Sequence, residues 1–229
     1  GIPYYRSSRG LGDVYKRHIN IEMDKSLYGH PYVKSPIDMA CWDIIGKYYK
    51  APIWQLFGGK YGETISLYRA ISQEDPGQMK ESVNQYKSEG YQKFQLKVGG
   101  HYQEDIERIK QVDSILNDSN ILVADANTGW KTHEALKVID KTCHLNIYYE
   151  QPCETYNECL LIREKNNLPF ILDESIFSLN SFLTAYKDNA MDIINLKISK
   201  LGGLTKSKQI RDLCAVSYTH LTLPTSTHG

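Results

Sequence analysis

Five ionisable residues in this 229-residue sequence each close a short apolar run: Lys97 in FQLK, Asp125 in LVAD, Glu150 in IYYE, Asp173 in FILD and Lys197 in INLK. A charge among apolar side chains is costly unless it is paired or bound to a metal. One such residue is explained by a stabilising ion pair, whereas five at equivalent positions point to a site. Asp125, Glu150 and Asp173 make an oxygen-rich cage suited to a hard divalent cation, and Mg²⁺ takes few carboxylates and completes its shell with water and substrate oxygens. Their carboxylates are therefore expected to converge on one point. Lys97 and Lys197 come from opposite sides of that cluster, the geometry for taking a proton from one face of a carbon and returning it on the other. They serve as acid and base only if their pKa falls toward neutrality, which a nearby divalent cation promotes. Gln95, Asn127, Asn195 and Lys200 lie close by in sequence and are candidate substrate contacts. A rival chemistry is a Schiff-base aldolase with Lys197 as nucleophile.

Such residues need elements that aim them at one place. From about Tyr91 a unit repeats, a short apolar strand followed by an amphipathic stretch of helical length, with a period of roughly 25 residues. Strands are predicted near Ser66–Ile71, Lys93–Val98, Ile121–Asp125, Asn146–Glu150, Phe170–Asp173 and Asp192–Lys197. Helices are predicted near Pro76–Glu89, Tyr102–Leu116, Lys131–Asp140, Thr155–Asn166, Leu179–Lys187 and Thr205–Cys214. This alternation predicts an α/β fold with a parallel sheet, an incomplete (β/α)₈ TIM barrel of about six strands. Strand residues alternate between the two faces. Phe94, Leu96 and Val98 oppose Gln95 and Lys97, while Ile194, Leu196 and Ile198 oppose Asn195 and Lys197, so both lysines are expected to point inward. The stretch before Tyr61, with Ile37, Cys41, Ile44 and Ile45 at helical spacing, is predicted to be helical, and Gly58-Gly59 ends it.

Lys+Arg and Asp+Glu number 27 each, so the net charge is zero; this excludes the basic footprint of a nucleic-acid binder. No apolar run reaches the 18 or so residues of a membrane span. Five cysteines, an odd number without a CxxC pair, and no signal-peptide pattern at Gly1 predict a cytoplasmic protein. The opening Gly1–Gly12, without methionine, predicts a loop and a fragment. Val216–Gly229 holds four Thr and two Ser without an acid, Lys or Arg, and predicts a non-native or disordered tail. The resulting division is residues 1–60 packed on the barrel, 61–215 as barrel, and 216–229 as tail.

Several segments together resemble the mandelate racemase/muconate lactonizing enzyme family of the enolase superfamily: SPIDMACWDIIGK (Ser35–Lys47), FQLKVGG (Phe94–Gly100), VADANTGW (Val123–Trp130), YYEQP (Tyr148–Pro152), LDES (Leu172–Ser175) and INLKISKLGG (Ile194–Gly203). They follow one another in the family's order. The resemblance implies that Asp125, Glu150 and Asp173 bind Mg²⁺ and that Lys97 and Lys197 are the acid/base pair. Enolase-superfamily sites pair a Lys or His base with Mg²⁺ that stabilises an ene-diolate. It further implies an α+β capping domain, of which 1–60 is the latter part, a small carboxylate substrate and a homo-oligomeric full-length enzyme with an epimerase, racemase or dehydratase outcome. GHPYVKSPIDMACWD and YEQPC look particularly similar to the branch of hydroxyproline-betaine epimerases and cis-3-hydroxyproline dehydratases. Two departures stand out. Gln95 replaces the first lysine of the family's Lys-x-Lys, and the seventh and eighth strands are missing, so the piece itself is expected to be inactive.

Glu174, beside Asp173, is expected to point away from the cage. Cys153 and Cys159 are expected as buried thiols.

Overall fold

The computed structural model describes residues 18–60, 62–217 and 220–222. The loop expected over Gly1–Gly12 lies outside them. Helix α1 (residues 18–26) is followed by α2 (Pro31–Tyr49) and α3 (Ile53–Leu56). Then come β1 (Arg69–Ile71), α4 (Pro76–Ser88), β2 (Lys93–Lys97), α5 (Tyr102–Asp113), β3 (Ile121–Asp125) and α6 (Thr132–Thr142). They are followed by β4 (Ile147–Glu150), α7 (Tyr156–Glu164), β5 (Phe170–Leu172), α8 (Leu179–Lys187), β6 (Ile193–Asn195), α9 (Ile198–Leu201), α10 (Leu204–Ser217) and β7 (His220–Thr222). No helix of the described residues is long and apolar enough to cross a membrane.

The chain forms two compact units. One comprises Gly1–Thr64, Phe177–Leu179 and Leu196–Tyr218; the other comprises Ile65–Ile176, Asn180–Asn195 and Thr219–Gly229. The sequence places the boundary near residue 60 and assigns 61–215 to one body. The units instead divide after Thr64, and Leu196–Tyr218 groups with the first.

In the first unit, Pro31 opens α2 at a position where its missing N–H is no loss. Asp38 of α2 is buried, and its carboxylate accepts from Asn20 Nδ2 at 2.7 Å, from the Thr205 N–H at 2.9 Å and from Thr205 Oγ1 at 2.5 Å. Trp42, one turn on, donates Nε1 to Thr205 Oγ1 at 3.0 Å. Asp38 thus takes the Thr205 N–H, one of the first N–H groups of α10, which have no partner within the helix. Gly203 lets α10 approach, since a Cβ there would meet Asp38 Oδ2 at 2.5 Å. The SPIDMACWD motif is thus a helix-to-helix clasp.

The second unit is the sheet and its crossover helices. All seven strands pair in parallel in sequence order, β1 to β7. Among the described residues β1 and β7 are the two edges and do not pair with each other. The outward faces of β2 to β6 supply Phe94, Leu96, Leu122, Tyr149, Phe170 and Ile194, none more than 1% exposed. On the opposite face Gln95, Val123, Tyr148, Glu150, Ile171 and Asn195 line a cavity of about 140 Å³. The predicted alternation of faces therefore describes the sheet.

Two expectations are corrected. First, the tail contains a strand: His220, Leu221 and Thr222 pair with Ile193, Ile194 and Asn195. A strand of three residues is specified by backbone pairing with its neighbour, here β6, and needs no apolar period. The rest of the tail, residues 218–219 and 223–229, lies outside the described residues. Second, β6 ends at Asn195 instead of Lys197, because the backbone at Lys197 already caps α9 and the Leu201 N–H donates to the Lys197 carbonyl at 3.2 Å.

Candidate active site

Register sets the level of the site. Lys97 on β2 pairs with Asp125 on β3, and Asp125 with Glu150 on β4. Asp173 is the first residue beyond β5, and Asn195 is the last of β6. The C-terminal ends of five neighbouring strands therefore present Lys97, Asp125, Glu150, Asp173 and Asn195, the end of a parallel α/β sheet at which ligands bind.

The three acids are buried, at 1%, 3% and 1% exposure for Asp125, Glu150 and Asp173. Lys97 Nζ donates to Asp125 Oδ2 at 2.5 Å and to Asn127 Oδ1 at 3.0 Å, and the Asn127 N–H donates to the second Asp125 oxygen, Oδ1, at 3.0 Å. Glu150 is held by amides. Its Oε2 accepts from Gln95 Nε2 at 2.7 Å and its Oε1 from Asn195 Nδ2 at 2.8 Å. The Asn195 amide also reaches Asp173 Oδ2 at 3.3 Å. Burial foremost, and then the charges of Asp125 and Asp173, push the Glu150 carboxyl up to about 7, against the two amide hydrogen bonds that favour its ionised form.

The donor set suits a hard divalent cation: three buried carboxylates that repel one another, with Asn195 Oδ1, a buried oxygen that accepts no hydrogen bond, beside them. A cation there would remove the conflict that raises Glu150. The expected convergence is not complete, however. Among the described residues no three His, Cys, Asp or Glu side chains stand close enough together to hold an ion as they are placed. The amide of Asn195 reaches both Glu150 and Asp173, and Lys97 bonds Asp125.

Gln95 and Asn195, expected to touch substrate, spend their amide donors on Glu150. Asn127, with φ of 42° in the left-handed region, sits between Lys97 and Glu174, donating Nδ2 to Glu174 Oε1 at 3.2 Å. Glu174, set aside on alternation, is thus linked to the site, since alternation lapses once β5 has ended at Leu172. Lys197 and Lys200 belong to the other compact unit, Lys197 as the N-cap of α9 and Lys200 buried in its last turn. Cys153 and Cys159 are buried free thiols, both pushed up to about 12 chiefly by burial. Sequence reasoning assigned no role to Asp105 or Gln151, although both are wholly buried polar residues. Their signal was faint: Gln151 follows a strand-end acid, and Asp105 opens a helix after a Gly-Gly turn.

Comparison with known proteins agrees with the architecture. Residues 78–226 match the model of the enolase C-terminal domain-like family. Residues 15–58 match that of the mandelate racemase/muconate lactonizing enzyme N-terminal domain. The chain belongs to the mandelate racemase/muconate lactonizing enzyme family of the enolase superfamily, and its relatives are racemases, epimerases and dehydratases. It is 53% identical over 196 residues to cis-3-hydroxy-L-proline dehydratase of Roseibium aggregatum, covering 86% of this chain and 53% of that protein. It is 36% identical to N-succinyl-L-Arg/Lys racemase of Bacillus cereus, covering 80% of this chain and 50% of the relative. Among solved structures, an enolase-superfamily member from Roseovarius nubinhibens complexed with magnesium superposes with a TM-score of 0.85 at 34% identity, covering 90% of this chain and 56% of that one. The chain spans about half the length of the curated relatives it matches.

Proposed function

We propose that the protein carrying this chain removes the proton α to the carboxylate of a small cyclic amino acid, with a divalent cation, Mg²⁺, held by Asp125, Glu150 and Asp173. The observation that carries this is the row of buried acids level with Lys97 on neighbouring strand ends. The 53% identity to cis-3-hydroxy-L-proline dehydratase favours dehydration of a 3-hydroxyproline, with epimerisation at the same carbon as the second outcome.

A cation bound there supplies positive charge to the substrate carboxylate as enediolate character develops. Lys97 Nζ is the group that takes the α-proton, and Asn127 Oδ1 and Asp125 hold that nitrogen in place. Gln95 and Asn195 keep Glu150 oriented by neutral donors. The family resemblance assigns the complementary acid to Lys197. In dehydration the Cα–H and Cβ–O bonds break, the proton goes to Lys97, the hydroxyl leaves as water with a proton from Lys197, and the Cα=Cβ bond forms. In epimerisation a proton instead returns to Cα, with Lys197 the donor that the resemblance assigns.

The test is turnover of cis-3-hydroxy-L-proline by the whole protein. Chelation should abolish it and Mg²⁺ restore it, and Lys97→Ala should lower kcat by about 10² to 10⁴-fold, the scale of a lost general base. Full activity in chelator, or in Lys97→Ala, would overturn the scheme. Borohydride inactivation dependent on substrate would favour the aldolase chemistry instead.

A further inference from the structure

Gln151 follows Glu150 at the end of β4 and is fully buried. Its φ of 36° lies in the left-handed region, which a residue with a side chain occupies only where its surroundings enforce it. The enforcement is a set of hydrogen bonds. Its N–H donates to the Ile171 carbonyl at 3.0 Å, and its own carbonyl accepts from the Thr128 N–H at 2.9 Å. Its side-chain oxygen accepts from the N–H groups of Asp173 at 3.1 Å and Ser175 at 3.2 Å. Its side-chain nitrogen donates to Ser175 Oγ at 2.8 Å, to the Cys153 carbonyl at 3.1 Å and to Cys159 Sγ at 3.5 Å.

One residue is therefore bonded to the chain after β3, the chain after β4 and the chain after β5. The first carries Asn127, the second directly follows Glu150, and the third carries Asp173. An amide is the side chain this position needs, because one end must meet donors and the other acceptors. A carboxylate would set negative charge against a carbonyl and a hydroxyl oxygen, and a lysine would leave two N–H groups unmet.

We propose that Gln151 is a positioning residue that fixes the spacing of Glu150 and Asp173 for the divalent cation; this rests on reading Asp125, Glu150 and Asp173 as its ligands. Gln151 Oε1 already meets two N–H groups, so it acts through its neighbours. Partners that orient metal ligands typically contribute 10 to 100-fold in affinity. The effect should therefore appear in metal binding itself, before any chemistry.

The experiment is calorimetric titration of the whole protein with Mg²⁺, comparing wild type with Gln151→Met, which keeps the volume and removes both halves of the amide. Tyr149→Phe is the comparator: it breaks the 2.7 Å hydrogen bond to Thr142 on the outward face of β4 and leaves the three segments alone. Gln151→Met should weaken Mg²⁺ binding about 10 to 100-fold. Tyr149→Phe should lower Tm and leave the Kd within about twofold, since it touches none of the oriented ligands. Wild-type Kd in a folded Gln151→Met protein overturns the proposal. Should that variant not fold, Ser175→Ala removes one partner of the amide; it should weaken binding several-fold, and an unchanged Kd there overturns the proposal equally. A wild-type protein that binds no Mg²⁺ overturns the cation reading and this proposal with it, whereas wild-type binding with indifferent variants overturns this proposal alone.

Discussion

Glu150 carries an electrostatic conflict that the rest of the site is arranged around. Its carboxyl is buried beside two other acids, accepts from the neutral amides of Gln95 and Asn195, and stands at about 7 instead of 4.5. A carboxyl whose native pKa is raised binds its proton more readily folded than unfolded. Its contribution is therefore fully present below pH 4.5 and is lost as pH rises to about 7. Without metal the protein should lose about 3 kcal/mol of stability across that interval from this group alone, following 1.36 kcal/mol per unit. Urea midpoints between pH 4.5 and 7.5 in chelator would show the decline, Mg²⁺ should recover it, and Glu150→Gln should flatten it; an equal slope in the variant would remove Glu150 as the cause. Gln95→Lys should flatten it as well, by putting a cation where Gln95 Nε2 now stands 2.7 Å from Glu150. At this scale the sequence was informative, since alternation on β2 and β3 separated Lys97 and Asp125 from their apolar neighbours. It was not informative about what an amide does: Gln95 and Asn195 looked like substrate contacts, and only coordinates show that both hold Glu150.

Between the elements, Asp105 does for the β2 and β3 ends what Gln151 does for those of β3 to β5. It is wholly buried in the first turn of α5, and its Oδ2 accepts from the Gly99 and Gly100 N–H groups at 3.0 Å each and from Trp130 Nε1 at 2.8 Å. Its Oδ1 takes Arg108 at 2.8 Å. The two segments touch backbone to backbone: a Cβ at Gly99, where φ is 97°, would meet the Ala126 carbonyl oxygen at 2.2 Å, and one at Gly129 would meet the Gly99 carbonyl oxygen at 2.2 Å. Lys97 and Asn127 leave from this junction. Asp105→Ala strands three N–H donors, while Arg108 keeps Glu104 at 3.0 Å and the Glu74 carbonyl at 2.7 Å, so the expected loss is about 2 to 4 kcal/mol, from buried donors left unmet. Chemical denaturation checks it, and a loss below about 1 kcal/mol, the scale of one ordinary hydrogen bond, would show that water replaces the carboxylate. Gly99→Ala should be comparably damaging through steric clash and backbone strain. Strand and helix positions were legible because β/α units repeat with a clear period, and most ends fell within a few residues. The junction was not, because Gly99-Gly100 and Trp130 are thirty residues apart and only a shared carboxylate joins them.

For the chain as a whole, what remained hidden was the last strand. His220–Thr222 lies in a Thr- and Ser-rich stretch with no alternation to mark it, yet its three residues pair with Ile193, Ile194 and Asn195. Pattern analysis detects a strand by what its side chains bury, whereas so short a strand is specified by the backbone it pairs with. Without β7, β6 becomes an edge along its full described length, and Asn195, whose amide links Glu150 to Asp173, loses the pairing that fixes its backbone. Ending the chain after Ser217 should therefore lower stability by about 1 to 3 kcal/mol, the net worth of a few backbone hydrogen bonds. It should also speed amide exchange at Ile193 to Asn195 by a similar free energy, while leaving exchange in β2 and β3 near its original rate, since those strands are paired on both sides by other partners. Hydrogen exchange resolved by residue distinguishes the cases. If β6 exchanges equally slowly with and without the last twelve residues, the pairing contributes nothing and the expectation of a non-native or disordered tail stands.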